Sequence, residues 1–211
     1  MHLQGPVGPG GEGVVDYLWM LYPGISSQML SEEYPDRKIV TFDSLCASMG
    51  EGLLVYHAAK MKEEGKSLDE ILSWLSDNKL NLCHWFTVDD LFFLKRGGRI
   101  SATTAILGSA LNIKPVLHVD DNGKLVSVSK ARGRKQSLNA LVSKMEETAI
   151  EPQKQIVFIS HGDCIEDAEF VADRIREKFG DIEIVINYID PVIGAHSGPG
   201  TLALFFIGTQ R

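Results

Sequence analysis

Arg96-Gly97-Gly98-Arg99, with Lys95 ahead of it and Ser101 behind, gathers three cations around two glycines in a chain of formal net charge −7. The glycines permit close backbone approach, and Ser101 is placed to cap a following helix whose first-turn N–H groups would face the loop. That chemistry suits an anion or an acidic partner surface, and it reads equally as a solvated basic turn. A second cluster, Lys130, Arg132, Arg134 and Lys135, brings the two groups to seven of the chain's 21 Lys and Arg residues. Such clustering in an acidic chain favours an electrostatic docking face.

His196 sits in "IGAHSGPGTLALFF", where a Gly-, Ser- and Pro-rich turn separates two apolar strands. With the hydroxyls of Ser197 and Thr201 beside it, it could hold a carboxylate, although a lone loop histidine is more often structural. "ISHGD", residues 159–163, has Ser160, His161 and Asp163 but no GxSxG elbow, and neighbours on a strand point to opposite faces. Asp163 reads instead as a helix cap. Neither HExxH nor a clustered Cys-His pattern occurs, so no metal is expected. Gly8, Gly10 and Gly13 satisfy GxGxxG formally, but no strand precedes them and Pro9 lies inside the turn, so no dinucleotide cofactor is expected.

The elements needed to position these groups are readable. Residues 5–13, "GPVGPGGEG", read as an irregular lead-in. "RKIVTFDS" predicts a short strand, with Ser44 capping a helix that ends near Gly65. "SLDEILSWL" carries a capping box, Ser67 with Glu70, ahead of Leu68, Ile71, Leu72 and Leu75 at helical spacing. "CHWFTV" predicts a strand, "DDLFFLKR" a short helix and "ATTAILGSAL" another. "NIKPVLHVDDNGKLVSVSKAR" predicts a hairpin turning at Asp121-Asn122-Gly123. Further on come a helix at "SLNALVSKMEE", a strand "QIVFIS", a helix ending at Gly180 with Ala168, Val171, Ala172, Ile175 and Phe179 on one face, and strands "IEIVINYI" and "TLALFFIG".

A length of 211 residues with 44% hydrophobic content can bury a sizeable core without staples. The acidic balance argues against nucleic acid as a partner. Cys46, Cys83 and Cys164 are widely spaced and odd in number, which favours a reducing compartment. No signal-like or membrane-spanning apolar run is present, and the expected location is cytoplasmic.

In order along the chain, "EEYPDRKIVTFDSLCASMGEGLL", "HWFTVDDLFFLKRGGRISATTAILGSALNIKPVLHVDDNGKLVSVSKARGRKQSL", "SHGD" and "IGAHSGPGTLALFF" resemble the DegV family of fatty-acid-binding proteins. The resemblance spans about residues 31–208. It implies an α/β protein, with a Rossmann-like N-terminal domain and a C-terminal α+β domain on a mostly antiparallel sheet. The expected division is an irregular lead-in at 1–30, an incomplete remnant of the N-terminal domain at 31–82 and the C-terminal domain at 83–211.

The implied function is to hold a long-chain fatty acid between two domains and present its carboxylate to the catalytic subunit of a bacterial fatty acid kinase, in the service of phospholipid metabolism. The chain itself would be no enzyme. About fourteen buried methylenes at roughly 0.8 kcal/mol each would give on the order of 11 kcal/mol before ordering costs, so affinity belongs to the tail and the head contacts set orientation. His196 corresponds to the carboxylate-network histidine, and Arg96, Arg99 and Arg132 to residues that engage the kinase. The family's Thr- and Ser-bearing N-terminal loops are not reproduced in residues 1–30; Ser26 and Ser27 lie near where one such loop would end.

That difference leads to the expectation of a truncated or altered first domain that exposes Trp85, Phe86, Phe205 and Phe206 or their neighbours, and hence of self-association. Transient membrane contact is a further expectation of a lipid carrier. Two other readings stay open: small-ketone binding through His196, as in the related substrate-binding subunit of dihydroxyacetone kinases, and an interaction module that keeps its basic face without a ligand.

Overall fold

The computed structural model describes residues 13–14, 23–101 and 112–211. The helix expected over residues 102–111 and most of the lead-in lie outside the described residues. The chain forms two compact units, one drawn from Met1–Ser44 and Leu54–Asp77, the other from Leu45–Leu53 and Asn78–Arg211.

In the smaller unit, β1 (Gly13–Val14) pairs in parallel with β2 (Ile39–Val40), and helix α1 covers Pro23–Glu33. Residues 23–30 are therefore helical where an irregular lead-in was expected, and Ser26 and Ser27 belong to α1. Helix α2 (Met49–Glu63) starts five residues beyond Ser44, so Ser44 does not cap it; Leu45 and Ser48 instead turn through positive φ. Helix α3 (Leu68–Asn78) shows the expected capping box: the Ser67 N–H donates to Glu70 Oε2 at 2.9 Å and the Glu70 N–H to Ser67 Oγ at 3.3 Å. Leu68, Ile71 and Leu75 are buried.

The larger unit is built on six strands: β3 (Leu82–Thr87), β4 (Ile113–Val119), β5 (Leu125–Arg132), β6 (Val157–His161), β7 (Ile184–Tyr188) and β8 (Leu202–Ile207), in the order β5-β4-β3-β8-β6-β7. Only β6 and β7 run parallel, so the sheet is mostly antiparallel. The β4–β5 hairpin turns where its Asp-Asn-Gly predicts: Asp120 Oδ1 accepts from the Asn122 and Lys124 N–H groups at 2.9 Å, and Gly123 takes φ 72°.

Helices α5 (Arg134–Thr148) and α6 (Ile165–Phe179) cover one face of this sheet. Strand alternation sends Cys83, Trp85, Val157, Ile159, Leu202, Leu204 and Phe206 into that helix-covered core, alongside Leu141, Met145, Val171 and Ile175. The same alternation turns Leu82, His84, Phe86, Phe158, Ser160, Ala203 and Phe205 to the opposite face, where they are also buried. Gly50 closes on Phe205 there: a Cβ on Gly50 would sit 2.9 Å from the ring. The expected exposure of Trp85, Phe86, Phe205 and Phe206 is thus corrected; none is more than 6% accessible, because each face of the sheet has its own cover. No helix among the described residues is long and apolar enough to cross a membrane.

Candidate functional site: a histidine seated on a basic loop

Helix α4 (Leu91–Arg96) is short, and its entry is fixed by Asp90, whose carboxylate accepts from the Phe92 N–H at 2.8 Å. The chain then tightens through Gly97 and Gly98, and the Arg99 N–H reaches back to the Leu94 carbonyl at 2.8 Å. A second short helix, α7 (Pro191–Ser197), is set the same way: Asp190 accepts from the N–H groups of Val192 and Ile193 at 2.9 and 3.0 Å, Pro191 follows, and Gly198 ends the helix at φ 79°. His196 therefore stands on the last turn of a helix, where the sequence predicts a Gly-, Ser- and Pro-rich turn between strands. The Asp-Pro pair at 190–191 is the signal that could have shown it.

Helices α4 and α7 pack together, and the contact joins the basic loop to the histidine. Gly97 lies against the His196 imidazole so closely that a Cβ would stand 3.1 Å from Cγ and closer still to Nδ1. Nδ1 is buried there without a hydrogen-bond partner, leaving Nε2 as the nitrogen able to meet a ligand. Two residues on, Gly198 closes on Phe93, where a Cβ would be 2.6 Å from the ring. The Arg96 guanidinium lies over the other contact of this pair, 4.5 Å from the Phe93 centroid. Arg99 folds back, donating through one terminal nitrogen to the Gly97 carbonyl at 2.6 Å.

The hydroxyls expected to assist His196 are committed elsewhere. Ser197 donates to the Ile193 carbonyl at 3.0 Å, and Thr201 to the carbonyls of Ser197 and Gly198 at 3.0 and 2.8 Å; both residues are buried. They hold the end of α7 and have no donor left for a carboxylate. Asp163 does not cap α6 either: it adopts φ 55°, and Cys164 occupies the cap without a side-chain bond. His161 and Ser160 point to opposite faces, His161 Nδ1 accepting from the Cys164 N–H at 3.2 Å while Ser48 Oγ donates to Ser160 Oγ at 3.2 Å.

The second basic cluster divides. Arg134 is drawn into ion pairs with Asp167 at 2.8 Å and Asp89 at 3.7 Å, and Lys114 pairs with Asp89 at 2.9 Å. These tie the start of α5 and of β4 to the segment entering α4, so Arg134 is structural. Arg132, at the end of β5, and Lys135 are exposed, as is Arg96; Arg99 is half-buried.

One residue escaped the sequence reading. His84 lies on the sheet face opposite the helices, beside Phe205 at 4.5 Å between ring centroids and Phe86 at 5.7 Å, with Nδ1 buried and unpartnered. Burial, then the charges of Arg211 and His118, push its pKa down to about 3, so the ring is neutral. Burial likewise pushes the Cys83 thiol up to about 12, which makes it inert. Among the described residues no cluster of three His, Cys, Asp or Glu side chains could hold a metal ion.

Residues 25–209 match the family described as "Uncharacterised protein, DegV family". A DegV domain-containing protein of Clostridium perfringens is 54% identical over 187 residues, which cover 89% of this chain and 64% of the relative. The chain thus spans less than two thirds of that relative's length. Among solved structures, a DegV family protein from Thermus thermophilus described as fatty acid binding is 30% identical, with a TM-score of 0.76 over 87% of this chain and 65% of its own. The fatty acid kinase B3 protein of Streptococcus pneumoniae, loaded with linoleic acid, shares the fold at TM-score 0.79 and 23% identity over 87% of this chain and 64% of its own. With its family match running through both basic clusters and the seat of His196, the chain belongs to the DegV family.

Proposed function

We propose that this chain binds a long-chain fatty acid and presents the carboxylate to a fatty acid kinase. The observation that carries the reading is the seat of His196: Nδ1 is sealed against Gly97, which leaves Nε2 as the nitrogen that can meet an anion beneath a loop bearing Arg96 and Arg99. Fatty acid binding by the Thermus thermophilus relative supports the ligand class, and the Streptococcus pneumoniae neighbour supports the kinase as partner.

In this reading the acyl tail supplies affinity by leaving water, and His196 supplies orientation. Arg96, Arg99 and Arg132 meet the kinase, and phosphoryl transfer to the carboxylate is the kinase's chemistry. The test is acyl phosphate formation from oleate and ATP by the chain and its kinase. His196→Ala should retain bound oleate while product formation falls by about tenfold or more, since misplacement of a reacting group costs rate before affinity. Undiminished acyl phosphate from His196→Ala would remove the histidine from the site.

A further inference from the structure

Two arginines of the basic loop are fastened to the helix end that carries His196, and each uses a glycine contact that leaves no slack. Arg99 donates to the Gly97 carbonyl, and Gly97 is the surface on which the imidazole rests. Arg96 stacks on Phe93, and Phe93 is the surface against which Gly198 closes, two residues beyond the histidine. The Gly97 peptide therefore lies between a guanidinium on one side and an imidazole on the other.

We propose that Gly97 is a positioning residue that couples Arg99 to the orientation of His196, so that a partner's acidic group engaging Arg99 is felt at Nε2. The inference rests on the function proposed above and adds a regulation of the same site. Its physical content is short-ranged. When Arg99 turns to a carboxylate on a partner, the charge-assisted bond at 2.6 Å to the Gly97 carbonyl is lost, and that peptide, still held by the Gly98 N–H donating to the Lys95 carbonyl at 2.9 Å, can tilt about this remaining bond. The imidazole follows, because close-packed groups move together and no void separates the ring from Gly97. Docking and final alignment of the ligand's head group then become one event, and an undocked carrier holds its ligand in an unaligned pose. Any side chain at 97 breaks the link by displacing the ring.

The experiment compares the intact 211-residue chain with five variants, the single changes at 97, 98, 99 and 196 and one double, loaded with oleate labelled at its carboxyl carbon with 13C and carrying 15N-labelled histidine. Gly97→Ala should move both the His196 imidazole resonances and the bound carboxyl resonance. Gly98→Asn alters the same loop at a position of φ 72° where an added Cβ meets open space, and it should leave both at their wild-type positions. Combined with His196→Ala, Gly97→Ala should have no additional effect on the carboxyl, as expected for a term carried wholly by the pair.

Arg99→Gln, which withdraws the guanidinium from the Gly97 carbonyl, should shift the imidazole in the same direction, and it carries the test alone if Gly97→Ala does not fold. Unmoved His196 resonances in Gly97→Ala and Arg99→Gln, or an equal shift in Gly98→Asn, would overturn the proposal. If wild-type chain retains no oleate, the fatty acid reading fails, and the imidazole comparison still decides whether Gly97 positions His196.

Discussion

Among single residues, His196 and His84 differ in how visible they are in the sequence. His196 was legible because glycine, serine and proline surround it, although its helix was not. His84 was hidden because "HWFTV" reads as an ordinary apolar strand, and only the alternation of its side chains places it opposite Trp85 among Phe86 and Phe205. A neutral buried imidazole makes stability depend on pH with a definite sign. The folded pKa of about 3 lies below the ordinary 6.5, so the unfolded chain binds more protons between them. Stability is then complete above pH 6.5 and is lost as pH falls toward 3, at a slope of at most about 1.4 kcal/mol per pH unit for this one group. Denaturant titrations of His84→Phe between pH 5 and 7 should show a shallower acid loss than wild type. His57, His118 and His161, also lowered by burial, leave a residual slope. An unchanged slope would mean that His84 does not titrate on unfolding.

Elements with a strong period were legible, and those fixed by packing were not. The capping box of α3, the β4–β5 hairpin and the buried face of α6 follow from local sequence. The caps at Ser44 and Asp163 failed because the chain turns through positive φ at Leu45, Ser48 and Asp163 before each helix begins, and the donor roles of Ser197 and Thr201 failed because their hydroxyls satisfy backbone carbonyls that the fold brings near; spacing reveals neither. The α4–α7 contact was likewise invisible, since it depends on two glycines distant in sequence. It can be weighed by comparing two helix-ending glycines. Gly198 and Gly180 hold similar backbone angles, φ 79° and ψ 173° against φ 83° and ψ −153°, but an added Cβ meets Phe93 at the first and open space at the second. Gly198→Ala should therefore destabilise by about 1–3 kcal/mol more than Gly180→Ala in chemical denaturation. Equal losses would show that α4 and α7 yield without cost.

For the molecule as a whole, the order of strands, helices and turns made a mixed α/β chain legible, while the mostly antiparallel sheet was legible through the resemblance to the DegV family. The expectation of bare aromatic surface failed because burial depends on what covers each sheet face, which sequence periodicity does not contain. Charge acts at this scale too. With Arg134 paired to Asp89 and Asp167, the proposed docking face rests on Arg96, Arg99 and Arg132, with Lys135 also exposed, in an otherwise acidic chain. Replacing these three by alanine should weaken capture of the kinase most at low salt and less near 0.15 M, where the screening length is about 8 Å. Binding that is equal to wild type at every ionic strength would move the partner to another surface. Organic extraction of protein purified from bacteria, followed by mass spectrometry, decides whether the chain carries a fatty acid, as proposed. Close to one long-chain fatty acid per chain is expected; repeated absence of stoichiometric fatty acid from well-folded preparations would rule out the proposed ligand.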